Sequence, residues 1–112
     1  MKDSLYILWT NADPITSEHM VFMYATNAAK MKWFDKVTVI IWGATSKLVA
    51  EDGDIQDLIE AAREAGVEFS ACISCANKLG TFEAITNLDI ELKGWGVPLT
   101  EIIKSDGKLI TV

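Results

Sequence analysis

Basic side chains are scarce in this chain: ten Lys and Arg stand against sixteen Asp and Glu, a net charge of −6. That balance disfavours direct contact with nucleic acid or an anionic membrane surface, and it leaves proteins and small molecules as partners. No apolar run approaches the ~18 residues that a membrane-spanning helix needs, which excludes a membrane partner of that kind. Met1-Lys2-Asp3-Ser4-Leu5 has an acid at position three and too short an apolar run behind it for a signal peptide, so a cytoplasmic protein is expected. There is no repeat and no low-complexity tract. With 112 residues, half of them hydrophobic, residues 1–112 read as one domain with a single ordinary core.

Chemistry-bearing residues are few as well. Histidine occurs once, as His19, and cysteine twice, as Cys72 and Cys75. A structural zinc site wants four ligands, so a metal would need more from a second subunit, and none is expected. No glycine-rich phosphate-binding fingerprint follows the first apolar segment, which assigns Gly94 and Gly96 to backbone geometry rather than to a nucleotide.

The sequence that is present alternates strands with helices. Leu5–Trp9 is a continuous apolar run of the kind buried on both faces of a parallel sheet, and it ends in the turn residues Thr10-Asn11-Ala12-Asp13-Pro14. A helix is expected from about Ser17, with Ser17 as N-cap, Glu18 in the first turn, and Met20, Val21, Tyr24, Ala25, Ala28 and Met31 on its buried face. Val37–Trp42 is the clearest strand, broken at Gly43-Ala44-Thr45, and a short helix over Ser46–Ala50 follows. Asp54 is the expected cap of a helix that buries Ile55, Leu58, Ile59 and Ala62 and stops at Gly66. Val67–Ala71 is the third strand. Thr81–Leu88 reads as a helical turn, Asp89–Leu92 as a short exposed strand and Gly94-Trp95-Gly96 as a flexible joint. A last helix opening at Val97-Pro98-Leu99-Thr100 and a closing strand, Lys108–Val112, complete the chain.

This alternation predicts right-handed βαβ crossovers and an α/β fold, a mainly parallel sheet between helical layers. Ligands in such folds sit outside the carboxyl ends of the strands. The loops at Thr10–Pro14, Gly43–Ser46, Cys72–Cys75 and Gly94–Pro98 should therefore share one edge, with Trp9, Asn11, Trp42, Gly43, Gly94 and Trp95 as candidate lining. Trp9, Trp42 and Trp95 at such positions pack the core or a subunit interface more often than they line a ligand site, with the interface favoured, and Trp33 with Phe34 reads as core or interface.

Both cysteines stand where the third strand turns into a short helix near Ser74. Helix N–H groups beside a thiol favour the thiolate, so a depressed pKa is expected there. Lys78 is the nearest cation in sequence, and His19 is a more distant candidate for the same edge. Asp13 and Glu18 read as solvated or helix-capping carboxylates.

A cysteine directly after the third strand, Cys72, followed by a glycine at the end of a short helix, Gly80, resembles the DsrE/DsrF-like (TusD-type) family of sulfur-relay proteins. The resemblance runs the length of the chain: opening strand and polar loop, long first helix, second strand ending at Gly43, cysteine turn, glycine-containing joint and last helix. It implies a three-layer α/β/α sandwich of about five strands, assembled as a homo-oligomer, a trimer or hexamer. It also implies a cysteine that carries sulfane sulfur as a persulfide between donor and acceptor proteins, with no organic cofactor. Cys72 is the residue onto which that role carries, with Cys75 assisting. Three other readings remain open: a dithiol redox switch from the Cys-x-x-Cys spacing, a shared metal site, and an oligomeric ligand- or partner-binding module whose cysteines are small buried hydrophobes.

Overall fold

The computed structural model describes residues 3–112; Met1 and Lys2, part of the stretch read against a signal peptide, lie outside the described residues. Five strands form one sheet: β1 (Ser4–Trp9), β2 (Lys36–Ile41), β3 (Val67–Cys72), β4 (Glu91–Lys93) and β5 (Lys108–Thr111). Their order is β4-β3-β2-β1-β5, and every pairing is parallel. The α/β reading holds.

Three rows of side chains across β1, β2 and β3 face one helical layer: Leu5, Val37 and Val67; Ile7, Val39 and Phe69; Trp9, Ile41 and Ala71. Val21, Phe22, Ala25 and Ala28 from the first helical run pack on them, together with Val49, Ile55, Ile59, Ala62, Ala76 and Ile85 from later helices. Each fully covered aliphatic side chain, such as Ile7 or Ile59, stabilises the fold by about 1.5–3 kcal/mol relative to exposure.

The connections decide which face each helix covers. β1 to β4 step across the sheet in one direction, so right-handed crossovers put α1 (Pro14–Thr16), a π-helical turn (Ser17–Phe22), α2 (Met23–Lys30), α3 (Ala44–Glu51), α4 (Gly53–Glu64), α5 (Ile73–Leu79) and α6 (Phe82–Asn87) on the same side. From β4 the chain returns to the far edge to form β5. The same handedness rule then sends α7 (Gly96–Lys104) across the opposite face.

α7 is too short to cover that face. Its 9 residues span about 14 Å at ~1.5 Å per residue, whereas the outer strands of a five-stranded sheet stand about 19 Å apart at ~4.8 Å spacing. β1 is therefore not buried on both faces as its apolar run suggested: Tyr6 and Leu8 remain half-exposed between buried Leu5, Ile7 and Trp9. No helix among the described residues is long and apolar enough to cross a membrane.

Several boundaries differ from expectation for identifiable reasons. The first helical run starts at Pro14, with Asp13 rather than Ser17 as its cap; the Asp13 carboxylate accepts the Thr16 N–H at 2.9 Å. That hydrogen bond holds the Asp13 carboxyl below its usual range. Ser17 is instead buried, its hydroxyl accepting the Trp9 indole N–H at 3.0 Å. At the π turn the Met23 N–H donates to Glu18 O, one residue farther back than an α-helix allows, and the helix face rotates. Phe22 goes in, while Met20, Tyr24 and Met31, expected on the buried face, lie outside. Asp52 takes the capping role expected of Asp54, accepting the Ile55 N–H at 3.1 Å. Asp89, expected to open β4, sits in a turn at φ 58°, and the strand begins two residues later.

Candidate functional site

Because the strands are parallel, the loops after them meet at one edge, as expected. Trp42 N–H donates to the Trp9 carbonyl at 3.2 Å, and Thr10 and Asn11 N–H groups donate to the Val112 carbonyl at 2.7 and 3.0 Å. The loop after β2 is fixed by Thr45, whose hydroxyl accepts the Trp42 N–H at 3.1 Å and donates to the Trp9 carbonyl at 2.7 Å. Gly43 then adopts φ 68°, ψ −130°, a combination that side-chain-bearing residues avoid. In that conformation its N–H points at the cysteine turn and donates to Cys75 Sγ at 3.3 Å.

Cys72 is the last residue of β3 and the N-cap of α5, a position where a side-chain acceptor for the first-turn N–H groups is favoured. Its Sγ accepts the Cys75 N–H at 3.5 Å. Both thiols are free, Cys72 buried at 5 % exposure and Cys75 half-buried. Each sulfur thus receives a backbone N–H, a donor that favours negative charge on sulfur more than on a neutral thiol.

Burial acts against those donors. Desolvation pushes the Cys75 thiol above its usual range; the Gly43 N–H opposes it, the Cys72 thiol adds to the rise, and Lys78 opposes it more weakly. The depressed thiol expected from the helix terminus is therefore not what Cys75 has. The cause is its half-buried position under the Gly43 loop, which removes water from a would-be thiolate.

The remaining candidates separate. Trp9 does not line the edge: it is fully buried, meets Phe22 edge-to-face at 5.2 Å, and donates its indole N–H to Ser17 and to the Asn11 carbonyl. Trp95 is also buried, on the α7 face, with its indole N–H on Ser70 Oγ at 2.8 Å and Lys93 Nζ 4.5 Å above its ring. The expected flexible joint is thus pinned by its tryptophan. Trp42 and Gly43 are half-buried at the edge, while Asn11 and Gly94 are exposed. His19 stands on the outer surface of the helical layer, 3.9 Å from Glu18, and lines a groove there with Met23 and Asn27. No group of three or more His, Cys, Asp or Glu side chains among the described residues is placed to hold a metal ion.

Two features were not read from the sequence. Ser46 and Thr81 share a buried hydroxyl–hydroxyl hydrogen bond of 2.8 Å that ties the Gly43 loop helix to the end of α5. Arg63 fastens α4 to the turn before β4 through the carbonyls of Leu88 (2.7 Å) and Asp89 (2.9 Å). Neither pair has a local sequence signal, because the partners stand 25 to 35 residues apart.

The fold and site together define a parallel α/β protein with a dithiol turn at the carboxyl edge of its sheet. No family model matches the chain, and no curated protein is significantly similar to it. Among solved structures, the conserved protein of unknown function BT1422 from Bacteroides thetaiotaomicron superposes with a TM-score of 0.95 at 37 % sequence identity, over 98 % of this chain and 95 % of that chain. The chain belongs to the family of that protein.

Proposed function

We propose that this protein is a sulfur carrier of the DsrE/DsrF-like kind, which accepts sulfane sulfur as a cysteine persulfide from one protein and passes it to another. The observation that supports the reading is the turn itself: two free thiols, each with a backbone N–H directed at sulfur, at the edge where parallel α/β sheets bind their ligands. The resemblance assigns the carried sulfur to Cys72. Exposure favours Cys75 as the thiol a donor meets first, with Cys72 beside it as the second.

In the first step the Cys75 thiolate attacks the outer sulfur of a donor persulfide. A new S–S bond forms on Cys75, the donor's S–S bond breaks, and the donor leaves as a thiolate that takes up a proton. Delivery is the same exchange with an acceptor thiol as nucleophile. If Cys72 attacks the inner sulfur instead, the products are a Cys72–Cys75 disulfide and hydrogen sulfide. A persulfide is a stronger acid than its parent thiol, and its charge sits on the added outer sulfur, next to the Sγ that the Gly43 N–H contacts. This chemistry uses no organic cofactor and needs a compartment where thiols stay reduced, such as the cytoplasm.

An assembly of copies, a trimer or hexamer, fits the same reading. Met20, Met23, Tyr24 and Trp33 form an exposed apolar patch on the outer helical surface, with Trp33 53 % exposed and its ring tilted at 42° to that of Tyr24, 5.8 Å between centroids.

The test is peptide mass spectrometry of the reduced protein before and after polysulfide, or a cysteine desulfurase with cysteine. Trypsin leaves both thiols in one peptide, residues 64–78, so fragmentation between them assigns the site. A reducible gain of one sulfur that Cys75→Ser abolishes supports entry at Cys75, and one that only Cys72→Ser abolishes returns the role to Cys72. Loss of two hydrogens without added sulfur, together with no sulfur gain in Cys72→Ser, makes the turn a redox switch, because that variant would trap a persulfide that Cys72 otherwise resolves. No change at either thiol removes sulfur chemistry altogether.

A further inference from the structure

The face of the sheet that α7 leaves open is not bland. Across β1 to β4 on that face, beside Trp95, lies a cavity of about 240 Å3, room for roughly eight waters at ~30 Å3 each and thus for a ligand of amino-acid size. Its floor is the cross-strand pair Tyr6 and Thr38, with Glu68 of the same row at the rim and Ser70 in the next row. Parallel sheets are ordinarily covered on both faces, so an open polar hollow at the centre of one needs a reason.

Three observations say what would fill it. Thr38 is 6 % exposed, and its Oγ1 has no hydrogen-bond partner among the described residues. Buried hydroxyls in folded proteins are nearly always satisfied, so this one lacks a partner that a water or a ligand settling on the floor would supply. The rim carries two ion pairs of equal and opposite charge, Lys36 with Glu68 at 3.8 Å and Lys93 with Glu91 at 3.7 Å. Both are about 1 Å longer than a charge-assisted hydrogen bond, so a carboxylate or an ammonium can be accepted by either pair without breaking a good contact. Finally, the wall is preset: Trp95 donates to Ser70 Oγ, and Ser70 donates to Glu91 Oε1 at 2.7 Å, which fixes an aromatic face and one carboxylate in place.

The four rim charges sum to zero. A simple anion or cation gains from one pair and is repelled by the same pair's other member, whereas a small dipolar molecule satisfies both signs at once. We propose that this cavity binds a small zwitterion, a free α-amino acid, with its carboxylate toward a lysine of the rim, its ammonium toward Glu68 or Glu91, and Thr38 Oγ1 bonded to one of the two. No thiol lines the cavity, although its Lys93 is the register partner of Cys72, and binding there requires no sulfur chemistry.

Calorimetric titration of the intact protein with the common amino acids, each paired with its N-acetyl and methyl-ester forms, tests this. At least one free amino acid should bind saturably, and blocking either end should weaken it about tenfold or more, the loss of a charged hydrogen bond. Thr38→Val, which keeps the β-branched shape, should weaken binding about tenfold while leaving the melting temperature unchanged or higher, since it removes an unpaired buried hydroxyl. Glu68→Gln, on the exposed rim, gives the same readout should the first variant fold poorly. Failure of every amino acid to bind, equal binding of the blocked forms, or full binding by both variants overturns the proposal. So does a finding that Glu68→Gln changes the oligomeric state, because the cavity then belongs to an interface between copies.

Discussion

Cys75 shows how opposing forces on one sulfur set its chemistry. Burial outweighs the Gly43 N–H, so its thiol ionises above the usual range. The thiolate fraction at neutral pH is then smaller than that of a free cysteine, and the sign of the pH dependence follows. Alkylation by iodoacetamide, followed by mass, should be slower than that of free cysteine at neutral pH. It should keep rising with pH after the free thiol has levelled off. Gly43→Ala should slow it further at neutral pH, because a side chain strains the φ 68° backbone that aims the N–H, at a cost of about 1–3 kcal/mol in stability. A Cys75 that alkylates faster than free cysteine at neutral pH contradicts this balance. Cys72 should modify more slowly than Cys75 throughout, since only 5 % of it is exposed.

Elements differ in how much of themselves they write into local sequence. β2 is legible because all but its first residue is buried, so its β-branched run has no competing reading. The cysteine turn and its edge were legible for a related reason: strand direction alone fixes where the loops go. The first helix was not, since a period of 3.6 assumes hydrogen bonds of constant span, and the π turn that seats Ser17 under Trp9 breaks that assumption. Nor were the indole partners that hold Trp9 and Trp95 inside, Ser17 and Ser70, the second of them 25 residues away. Arg63 is invisible in sequence for the same reason, yet it joins two elements with bonds from both terminal nitrogens. Arg63→Met, which keeps most of the apolar stem, should destabilise the protein by about 2 kcal/mol in urea, the range for hydrogen bonds to a charged group. Arg63→Lys should recover less than half, because an ammonium cannot reach two carbonyls as a fork does. If the two variants were equal to wild type, the contact would be ornamental.

At the scale of the whole molecule two forces act on association in opposite directions. A net charge of −6 makes copies repel, while the outer helical surface exposes Met23 and Trp33 by more than half. A stable interface takes about 800 Å2 from each partner, roughly an eighth of the 6328 Å2 surface of this chain. A patch of methionines and aromatics supplies the kind of residue that interface centres favour. If that patch holds the assembly together, sedimentation velocity should find a trimer or hexamer at micromolar concentration. Raising the salt should tighten it, because screening relieves repulsion and leaves apolar contact intact. Met23→Glu and Trp33→Glu should each shift the population toward monomer with an unchanged far-ultraviolet spectrum, since both side chains already face water. A wild-type chain that stays monomeric at every concentration removes the oligomer. An oligomer that loosens with salt and ignores both substitutions moves the interface to a charged surface elsewhere.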